Sequence, residues 1–384
     1  MSRIDELIAE LCPDGVEFVE LGKLLAYEQP TKYLVDSTAY SDSYATPVLT
    51  AGQTFVLGRT DETNGIYPAS TATPVIIFDD FTTAFKWVDF PFKVKSSAMK
   101  MLTPKDAGRA SLRYIYYVMQ TIRYEPQDHA RQWIGIYSGF QVPVPPLEVQ
   151  REIVRVLDQF TQLEAELEAE LEARRRQYEH YRATLLFGNE DDEHAPLYRF
   201  AAYSDTRIDA SALDSSSFVG VDNLLSDKRG KTEANYLPNT SRLTAYQPGD
   251  ILIGNIRPYL KKIWMADSSG GCSGDVLAVR ITDAARGQLE PAYLYYLLSS
   301  DSFFSYNMQH AKGAKMPRGD KAAILNYPIH VPSLGDQRRI VEVLQKFDAL
   351  VNDISIGLPA ELAARRKQYE YYRDKLLTFE EAVA

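Results

Sequence analysis

Two neighbouring carboxylates at the end of an apolar run are the first candidates for chemistry in this sequence. Asp79 and Asp80 directly follow the apolar residues 75–78, and paired carboxylates can bind the divalent cation of a nuclease. A similar run, residues 251–254, is followed by asparagine and isoleucine instead. Because the two runs do not share the carboxylates, we interpret Asp79 and Asp80 as a turn at the end of a strand.

Other signatures of enzymes are missing from the sequence. It has no Gly-rich phosphate-binding loop, no His-Glu-x-x-His motif and no Gly-x-Ser-x-Gly elbow. Asn326-Tyr327-Pro328 resembles part of an amino-methyltransferase motif but lacks its second proline, so we interpret it as a loop before a strand. The five histidines show no metal-ligand spacing. We therefore expect no catalytic residue, no metal site and no cofactor in this chain.

The bulk composition is that of an ordinary globular protein from a reducing compartment. Cys12 and Cys272 are too few for a disulfide framework or a structural zinc site. The N-terminus lacks the apolar core of a signal peptide, and the longest apolar runs, such as residues 114–119, are too short to cross a bilayer. The sequence predicts a soluble cytoplasmic protein with no membrane partner.

The net charge of −10 argues against a nucleic-acid partner when the chain is taken as a whole. A global charge does not describe a local surface, however. Acidic residues are concentrated in 164–172, in 189–193 and near the C-terminus, whereas basic residues are denser in 227–231 and 257–262. The charge therefore weakens a DNA-binding hypothesis but leaves these basic segments as candidates.

Segments that mix cationic, polar and aromatic residues are candidates for a nucleic-acid surface. They are 227–231, 255–262 and 310–321 in the second half of the chain, and 80–86 and 129–133 in the first half. Lysine and arginine would position the DNA backbone, and an arginine that reaches guanine would read the base. The alternative for each residue is a solvated loop charge, but recurrence at matched places in both halves favours DNA binding. The candidate DNA-binding residues are Thr82, Thr83, Lys86, Arg131, Gln132, Lys228, Arg229, Lys231, Arg257, Tyr259, Lys261, Lys262, Lys312, Lys315 and Arg318.

These segments must be positioned by the rest of the chain, in which one long helical segment occurs twice. The segment that begins at Gln150 is repeated from Gln337, and the box Arg-Arg-x-Gln-Tyr-Glu-x-Tyr-Arg that begins at Arg174 is repeated from Arg365. A period this long indicates a duplicated half-protein with an approximate two-fold axis. Apolar residues recur at steps of three and four, as in a coiled-coil seam. A helix over residues 147–187 would be roughly 60 Å long, and the second copy supplies the partner that it needs.

The two copies of the helical segment differ in length by four residues. Matched residues lie 187 positions apart at Gln150 and Gln337 but 191 apart at Tyr178 and Tyr369. A four-residue insertion keeps the apolar seam roughly in line. Pro359, which lies at the insertion, fits best as the first residue of a restarted helix. We therefore predict a break or kink there.

The residues of the two boxes have two interpretations. The tyrosines lie on the helical seam and could simply pack the coiled coil. The paired arginines would meet carboxylates on the opposite helix or on another subunit, because an unpaired charge at a seam is costly. The candidate partner-binding residues are Arg174, Arg175, Gln177, Tyr178, Tyr181, Arg365, Arg366, Gln368, Tyr369 and Tyr372.

The segments that precede the two helical copies are mixed and globular. Short β-rich runs bounded by Gly, Pro and Asn, such as 74–78 and 250–254, correspond between the halves, as do the Tyr-rich helical pieces 112–117 and 292–297. These patterns predict an α+β fold with an internal repeat. We expect one globular domain over residues 1–146, a long helix over 147–188, a second globular domain over 189–333 and a second helical segment over 334–384.

The sequence resembles the DNA-specificity subunits of type I restriction–modification systems over nearly its whole length. The resemblance rests on Pro-Pro-Leu-Glu-x-Gln-Arg-Glu-Ile-Val at 145–154, on the two arginine–tyrosine boxes and on Gly-Leu-Pro-Ala-Glu at 357–361. It extends to residues 49–54, 76–83, 249–253 and 315–318.

The resemblance implies two target-recognition domains, one for each half of a split site in double-stranded DNA. Two antiparallel helices would join them, set their distance and dock two modification subunits. Those subunits would carry the S-adenosylmethionine chemistry, and restriction subunits would use ATP and magnesium for translocation and cleavage. The specificity subunit itself would catalyse nothing. The different loops of the two domains would make the DNA site asymmetric.

Two other functions stay open on the residues alone. A duplicated coiled-coil adaptor could organise protein partners without touching DNA. A nuclease that used Asp79 and Asp80 would require metal-dependent cleavage by the isolated chain. Binding to DNA that weakens as the salt concentration rises would separate a DNA-reading subunit from an adaptor.

Overall fold

The computed structural model describes residues 3–52, 54–127, 130–188, 194–238, 240–353 and 355–382. Its helices are, in chain order, α1 (Arg3–Leu11), α2 (Leu21–Leu24), α3 (Leu112–Met119), α4 (Gln132–Gly135), α5 (Leu147–Phe187), α6 (Pro291–Leu298), α7 (Asp301–Gln309), α8 (Lys321–Leu325), α9 (Leu334–Asn352) and α10 (Leu358–Leu376). Its strands are β1 (Glu17–Glu20), β2 (Leu25–Glu28), β3 (Thr46–Leu49), β4 (Val56–Thr60), β5 (Val75–Asp79), β6 (Phe85–Val88), β7 (Lys93–Val94), β8 (Met99–Pro104), β9 (Gln141–Val144), β10 (His194–Pro196), β11 (Ala201–Tyr203), β12 (Arg207–Asp209), β13 (Phe218–Val219), β14 (Arg242–Tyr246), β15 (Ile251–Gly254), β16 (Ile263–Met265), β17 (Gly270–Cys272), β18 (Val276–Ile281) and β19 (Pro328–His330). None of the described helices has the length and apolar character needed to span a membrane.

The chain consists of two units. Unit 1 contains residues 1–168 and 362–384, and unit 2 contains residues 169–361. Both α5 and α10 therefore contribute residues to each unit. The domain boundaries that we expected after residues 146, 188 and 333 stay predictions, and the second of them adjoins residues 189–193, which lie outside the described ranges.

Unit 1 is built on a four-stranded antiparallel sheet with the order β2-β8-β5-β6. The side chains of β5 alternate between the two faces of this sheet. Ile76 and Phe78 belong to a core cluster that includes α3 and the start of α5, whereas Val75 and Ile77 belong to a second cluster. All four side chains are fully buried. Burial on both faces explains why β5 is a continuous apolar run rather than an alternating one.

Two smaller sheets complete unit 1. The sheet with the order β4-β3-β7 pairs β3 with β4 antiparallel and with β7 parallel, and its residues Leu49 and Val94 pack in the same cluster as Val75. The antiparallel pair of β1 and β9 carries the chain directly to the start of α5. The first turns of α5 are thereby held in the core, where Val149, Ile153 and Leu157 are fully buried.

Unit 2 repeats the central sheet of unit 1. Its antiparallel sheet has the order β11-β18-β15-β16, and a separate antiparallel pair, β10 and β19, carries the chain to α9. The Tyr-rich helix α6 contacts β15 and β16. The second sheet differs from its counterpart and has four strands in the order β12-β14-β17-β13. The predicted correspondence of the two apolar runs is confirmed at the level of the strand, because β5 and β15 are matching inner strands of the two sheets. The backbone hydrogen bonds just after these strands equate Asn255 with Asp80, one residue away from the alignment of 74–78 with 250–254.

The long helices follow the sequence pattern closely. The 41 residues of α5 form one uninterrupted helix. The second copy is broken, since α9 ends at Asn352 and α10 begins at Leu358. Asp353 stabilises the turn between the two helices, because its Oδ1 accepts hydrogen bonds from the N–H groups of Ser355 (2.7 Å) and Ile356 (3.3 Å). The predicted break and the α+β fold class are confirmed, although Pro359 is the second residue of α10 rather than the first.

Candidate nucleic-acid interface

In unit 1 the turn after β5 and the segment before α4 lie against each other. The carbonyl oxygen of Asp80 accepts a hydrogen bond from the N–H of Gln132 (2.8 Å), and its Oδ1 accepts one from the N–H of Trp133 (2.8 Å). Its Oδ2 lies 3.0 Å from Nζ of Lys100, and both side chains are completely buried. The hydrogen bonds between Asp80 and residues 132–133 form a joint between the two predicted DNA-binding segments. Because a buried charge is tolerated only when it is paired, neither Asp80 nor Lys100 can be removed alone without cost at this joint.

The carboxylates of Asp79 and Asp80 form a turn at the end of a strand, as we predicted. Oδ1 of Asp79 accepts hydrogen bonds from the N–H groups of Phe81 and Thr82, both at 2.9 Å. The carboxylate of Asp80 faces Lys100. Within the described ranges, no group of three or more His, Cys, Asp or Glu side chains is placed to hold a metal ion. The residues Asn326 and Tyr327 likewise connect α8 to β19, as predicted.

The five DNA-binding candidates of unit 1 differ in exposure. The side chain of Gln132 is only 1% exposed. Its Oε1 accepts a hydrogen bond from the hydroxyl of Tyr124 (2.7 Å), and its Nε2 donates to the carbonyl of Ala130 (2.8 Å). Gln132 therefore stabilises the loop from inside instead of lying on the surface that we predicted for it. Of the others, Thr82 and Arg131 are exposed, Lys86 is half-buried on β6, and Thr83 is buried with a left-handed backbone (φ 57°).

In unit 2 the predicted segments 255–262 and 310–321 lie against each other and are joined by backbone hydrogen bonds. The N–H of Arg257 donates to the carbonyl of Pro317 (2.8 Å), and the N–H of Gly319 donates to the carbonyl of Asn255 (3.1 Å). Arg257 and Lys261 have left-handed backbone conformations (φ 53° and 49°) on either side of a single 3-10 turn. These tight bends place the exposed side chains of Arg257 and Tyr259 beside the Gly- and Lys-rich loop.

One carboxylate holds two of the candidate lysines of unit 2. Oδ1 of Asp301 lies 2.8 Å from Nζ of Lys228 and 3.0 Å from Nζ of Lys261. Burial by itself would raise the pKa of Asp301, but the hydrogen bonds from the two ammonium groups outweigh it and lower that pKa to about 2. Burial also lowers the pKa of Lys228. The carboxylate of Asp301 therefore offsets part of the positive charge of the two lysines.

Most of the remaining cations of unit 2 are also held by the protein. Arg318 pairs with Asp275 (3.2 Å) and Lys312 with Asp320 (2.5 Å), whereas Arg229, Lys231 and Lys262 donate to the backbone carbonyls of Ser226 (3.1 Å), Ser216 (2.9 Å) and Val221 (2.6 Å). Arg257 and Lys315 are exposed, and neither has a carboxylate partner among the residues that the structure describes. These two cations and the half-exposed ring of Tyr259 could meet DNA without first giving up an ion pair with a described carboxylate.

In unit 1 the arginine–tyrosine box of α10 packs on α5. The ring of Tyr372 stacks on that of Phe160, with centroids 5.5 Å apart. Arg366 donates from Nε to Oε1 of Glu164 (2.6 Å) and also pairs with Glu168. Later residues of α5 thus meet earlier residues of α10, so the two helices run antiparallel within unit 1. The carboxylates predicted for this arginine on the opposite helix are present.

Unit 2 repeats this contact with the other box. Tyr178 stacks on Phe347, with centroids 6.2 Å apart, and Tyr181 lies 5.9 Å from the same ring. Phe347 follows Phe160 by 187 positions, which is the offset of the repeat. Tyr178 is buried, and burial raises the pKa of its hydroxyl. The tyrosines of the boxes therefore pack the helical seam.

The polar groups of the two boxes differ in their partners. Arg174 pairs with Glu170 (3.4 Å) and donates to Gln177 (3.0 Å) on its own helix, and Arg365 donates to Gln368 (3.4 Å). The hydroxyl of Tyr369 donates to Oε1 of Gln120 (2.7 Å), whereas the side chain of Arg175 is exposed. Binding of these residues to a partner subunit stays a prediction.

Two buried glutamines fasten the long helices to the globular parts, and sequence reasoning assigned them no role. Gln150 accepts a hydrogen bond from the N–H of Ser111 (3.0 Å) and donates to the carbonyls of Arg109 (3.0 Å) and Pro145 (2.8 Å). Gln337 makes the same three bonds, with the N–H of Glu290 (2.9 Å) and the carbonyls of Gln288 (2.8 Å) and Pro332 (2.8 Å). The signal that could have revealed them is their recurrence at the start of both helical copies.

Comparison with known proteins gives a consistent result. The profile of the family described as "Type I restriction modification DNA specificity domain" matches residues 13–173 and 253–364. The type I restriction enzyme EcoR124I/EcoR124II specificity subunit of Escherichia coli is 39% identical over 99% of this chain and 97% of its own length. A putative type I restriction enzyme specificity subunit of Haemophilus influenzae is 27% identical over 70% of this chain and 72% of its own length.

The fold is also similar to a solved structure of such a subunit. The type I restriction-modification system S subunit from M. genitalium has a TM-score of 0.57 at 13% identity, over 94% of this chain and 96% of its own. At this identity the likeness concerns the fold alone. The family profile and the E. coli relative cover most of the chain, and they do not support an adaptor without DNA readout. This chain belongs to the family of type I restriction–modification DNA specificity subunits, whose function is recognition of a DNA sequence.

Proposed function

We propose that each unit reads one half of an asymmetric, bipartite site in double-stranded DNA. The observation that carries this proposal is the repeated joint between two loops at the end of the central strand. In unit 1 it connects the β5–β6 turn with residues 131–133, and in unit 2 it connects residues 255–257 with 317–319. The scaffold is duplicated while the exposed side chains differ, so two equivalent surfaces would read two different sequences.

The long helices would keep the two reading surfaces at a set distance and would dock two modification subunits. The matched contacts of Phe160 with Tyr372 and of Phe347 with Tyr181 support equivalent helical surfaces in the two units. Two identical partners can bind such a pseudo-symmetric chain at equivalent places. Rigid linkage of the two reading surfaces would also make the second DNA contact effectively intramolecular, which raises the affinity of the whole.

The chemistry of the complex would reside in other chains. Two modification subunits would bind S-adenosylmethionine and methylate DNA, and restriction subunits would use ATP and magnesium. The present chain would supply recognition and no catalytic group, in the cytoplasm where it meets cellular DNA. Its acidic net charge of −10 is compatible with this role if the modification subunits contribute cations that grip the DNA backbone.

Exchange of the predicted globular domain within unit 2 tests the assignment of the two half-sites. Residues 189–333 are replaced by the corresponding segment of a relative that recognises a different sequence, and the chain is expressed with its modification subunits. Sequencing of methylated genomic DNA should show one half of the split motif changed and the other half kept. An unchanged motif, or a change in both halves, would contradict the assignment of one half-site to each unit.

The DNA surface of unit 2 is tested by removing the two cations that have no carboxylate partner in the described chain. We expect the double variant Arg257→Ala/Lys315→Ala to bind DNA more weakly, and the slope of its salt dependence should fall by about one unit for each phosphate that the variant no longer reaches. The matched control is Arg176→Ala/Lys346→Ala, which removes two exposed cations that pair with glutamates on their own helices. Equal salt slopes for the two double variants would refute the proposed surface.

A further inference from the structure

The residue that directly follows the central strand closes the joint in both units. Asp80 follows β5 and Asn255 follows β15. Each makes the same pair of backbone hydrogen bonds. The N–H groups of Asp80 and Asn255 donate to the carbonyls of Ala98 (3.0 Å) and Asp275 (2.8 Å), and their carbonyls accept from the N–H groups of Gln132 (2.8 Å) and Gly319 (3.1 Å).

The joint establishes an equivalence between two arginines. Gln132 and Gly319 lie 187 positions apart, which is also the separation of Gln150 and Gln337. The residues immediately before them, Arg131 and Arg318, therefore occupy the same place in the two units. Both arginines are exposed, although Arg318 also pairs with the half-exposed carboxylate of Asp275 (3.2 Å), which DNA would have to replace as its partner. The duplicated scaffold thus presents one arginine at an equivalent point of each candidate DNA surface.

The side chains that hold the joint differ between the units. In unit 1, Oδ1 of Asp80 accepts from the N–H of Trp133 (2.8 Å) and so satisfies a free N–H in the first turn of α4, to which Arg131 contributes no side-chain cap. The buried ammonium of Lys100 pairs with the other carboxylate oxygen. The segment that carries Arg131 is therefore tied to the core sheet through Asp80.

In unit 2 the joint is neutral and closely packed around a glycine. Asn255 and Asn307 are 5% and 1% exposed. A Cβ at Gly319 would lie 2.4 Å from Oδ1 of Asn307 and 2.8 Å from Oδ1 of Asn255. Only a residue without a side chain lets the backbone before α8 approach the two amides this closely. The segment that carries Arg318 is therefore tied to the core through the backbone hydrogen bond from Gly319 to Asn255 and through close packing, since Oδ1 of Asn255 and the amide group of Asn307 have no hydrogen-bond partner among the described residues.

We propose that Asp80 and Asn255 are equivalent positioning residues, which hold Arg131 and Arg318 at equivalent DNA contacts, one in each half-site. This inference rests on the proposed function of the two units. Recognition of a base edge or a phosphate by an arginine requires a guanidinium in a defined place, and a loop can supply that place only when buried contacts hold its backbone.

The first experiment removes the arginines themselves. Arg131→Ala and Arg318→Ala are each expressed with the modification subunits, and the methylated motif is read by sequencing of genomic DNA. Affinity is measured for a duplex that carries the wild-type motif. We expect about tenfold to a hundredfold weaker binding, the scale of a single specific arginine–base interaction. The base preference should be relaxed in one half of the motif for Arg131→Ala and in the other half for Arg318→Ala.

The second experiment separates positioning from bulk stability in unit 1. The variant Asp80→Asn/Lys100→Met removes the buried charges but keeps an oxygen that can accept from Trp133, whereas Asp80→Leu/Lys100→Met removes that acceptor as well. Neither variant leaves a buried charge unpaired. We expect the asparagine variant to keep the wild-type motif and an affinity within about threefold of wild type. The leucine variant should reproduce the half-site defect of Arg131→Ala.

The third experiment tests unit 2 with a matched control. Gly319→Ala places a methyl group against the two asparagines, whereas a Cβ at Gly287 meets nothing within 4 Å. We expect Gly319→Ala to reproduce the defect of Arg318→Ala, and Gly287→Ala to behave like wild type. Circular dichroism tests whether each variant is folded. If Asp80→Leu/Lys100→Met does not fold, Gly319→Ala and the two arginine variants test the proposal.

The outcomes distinguish this inference from the proposed function on which it rests. The inference is overturned if the arginine variants leave the motif unchanged or relax the same half, or if the two double variants of Asp80 and Lys100 behave alike. If exchange of residues 189–333 nevertheless changes one half of the motif, the proposed function stands without it. If that exchange changes neither half, the proposed function itself has failed.

Discussion

Replacement of Gln150 by leucine should weaken unit 1 far more than the loss of one polar side chain ordinarily does. Gln150 is fully buried and uses its whole amide, with hydrogen bonds of 2.8 to 3.0 Å to the N–H of Ser111 and the carbonyls of Arg109 and Pro145. Leucine fills a similar volume, so that Gln150→Leu creates little cavity. The variant therefore isolates the three hydrogen bonds.

The magnitude follows from the groups that are left behind. A typical hydrogen bond contributes about 1 kcal/mol net, and a buried polar group that loses its partner costs roughly 1 to 3 kcal/mol. With three backbone groups deprived of their partner, we expect the free energy of unfolding to fall by about 3 kcal/mol. For an unfolding slope near 3 kcal/mol per molar urea, the midpoint should move down by roughly 1 M.

Urea unfolding followed by circular dichroism measures this change. Gln162→Leu is the matched control on the same helix, because Gln162 is exposed and makes one hydrogen bond, to Glu166 (2.9 Å). The control should stay within about 0.5 kcal/mol of wild type. Gln337→Leu should lose as much as Gln150→Leu, since it has the same three contacts. If Gln150→Leu is as stable as the Gln162 control, the reasoning about the buried glutamines is refuted.

Three further predictions concern charged groups. Lys100→Met leaves the completely buried carboxylate of Asp80 without its ion-pair partner, so the free energy of unfolding should fall by about 3 to 5 kcal/mol; Lys23→Met, which removes one partner of an exposed pair, should change it by less than about 1 kcal/mol. Because the pKa of Asp301 is lowered to about 2 in the folded chain, its carboxylate stabilises the fold above the unfolded pKa of about 4. The stability difference between wild type and Asp301→Asn should therefore be complete near neutral pH and shrink as the pH falls from about 5 towards 2; a difference that is independent of pH in urea titrations would contradict this. Arg366→Ala removes the ion pairs with Glu164 and Glu168, so the free energy of unfolding should fall by about 1 kcal/mol at low salt and by less at 1 M salt. Arg176→Ala is the control, because it breaks an ion pair within one helix. If Arg366→Ala lowers the free energy of unfolding no more than Arg176→Ala does, Arg366 has no role in joining α5 and α10.

The large elements of the fold were open to prediction because their signals are local or repeated. The apolar steps of three and four residues specify the 41 residues of α5, and the four-residue offset between the copies marks the break before Leu358. The continuous apolar run 75–78 predicted a strand, and its match with 251–254 predicted the shared central strand of the two units. Each of these inferences needs only neighbouring residues or a comparison of the chain with itself.

Whether an individual side chain is available to contact DNA depends on contacts between residues far apart in the sequence. Composition marked Gln132 and Lys262 as candidates for DNA contact as readily as Arg257. In the folded chain Gln132 is buried, and Lys262 donates to the carbonyl of Val221, 41 residues away. Arg257 stays exposed. No local sequence pattern encodes which lysine or arginine finds a hydrogen-bond acceptor far away in the sequence, because such acceptors come close only when the chain folds.

The sequence by itself therefore determined the duplication, the long helices and the resemblance to the family of DNA specificity subunits, since periodicity, repeats and motifs are properties of the order of residues along the chain. Only the tertiary structure decided which polar residues are consumed in holding the loops and which are left for a ligand. Asp80 illustrates the difference, because its carboxylate suggests metal chemistry in the sequence but is paired with Lys100 in the fold. The physical reason is that burial makes an unpaired polar group costly, and burial is a property of the packed chain alone.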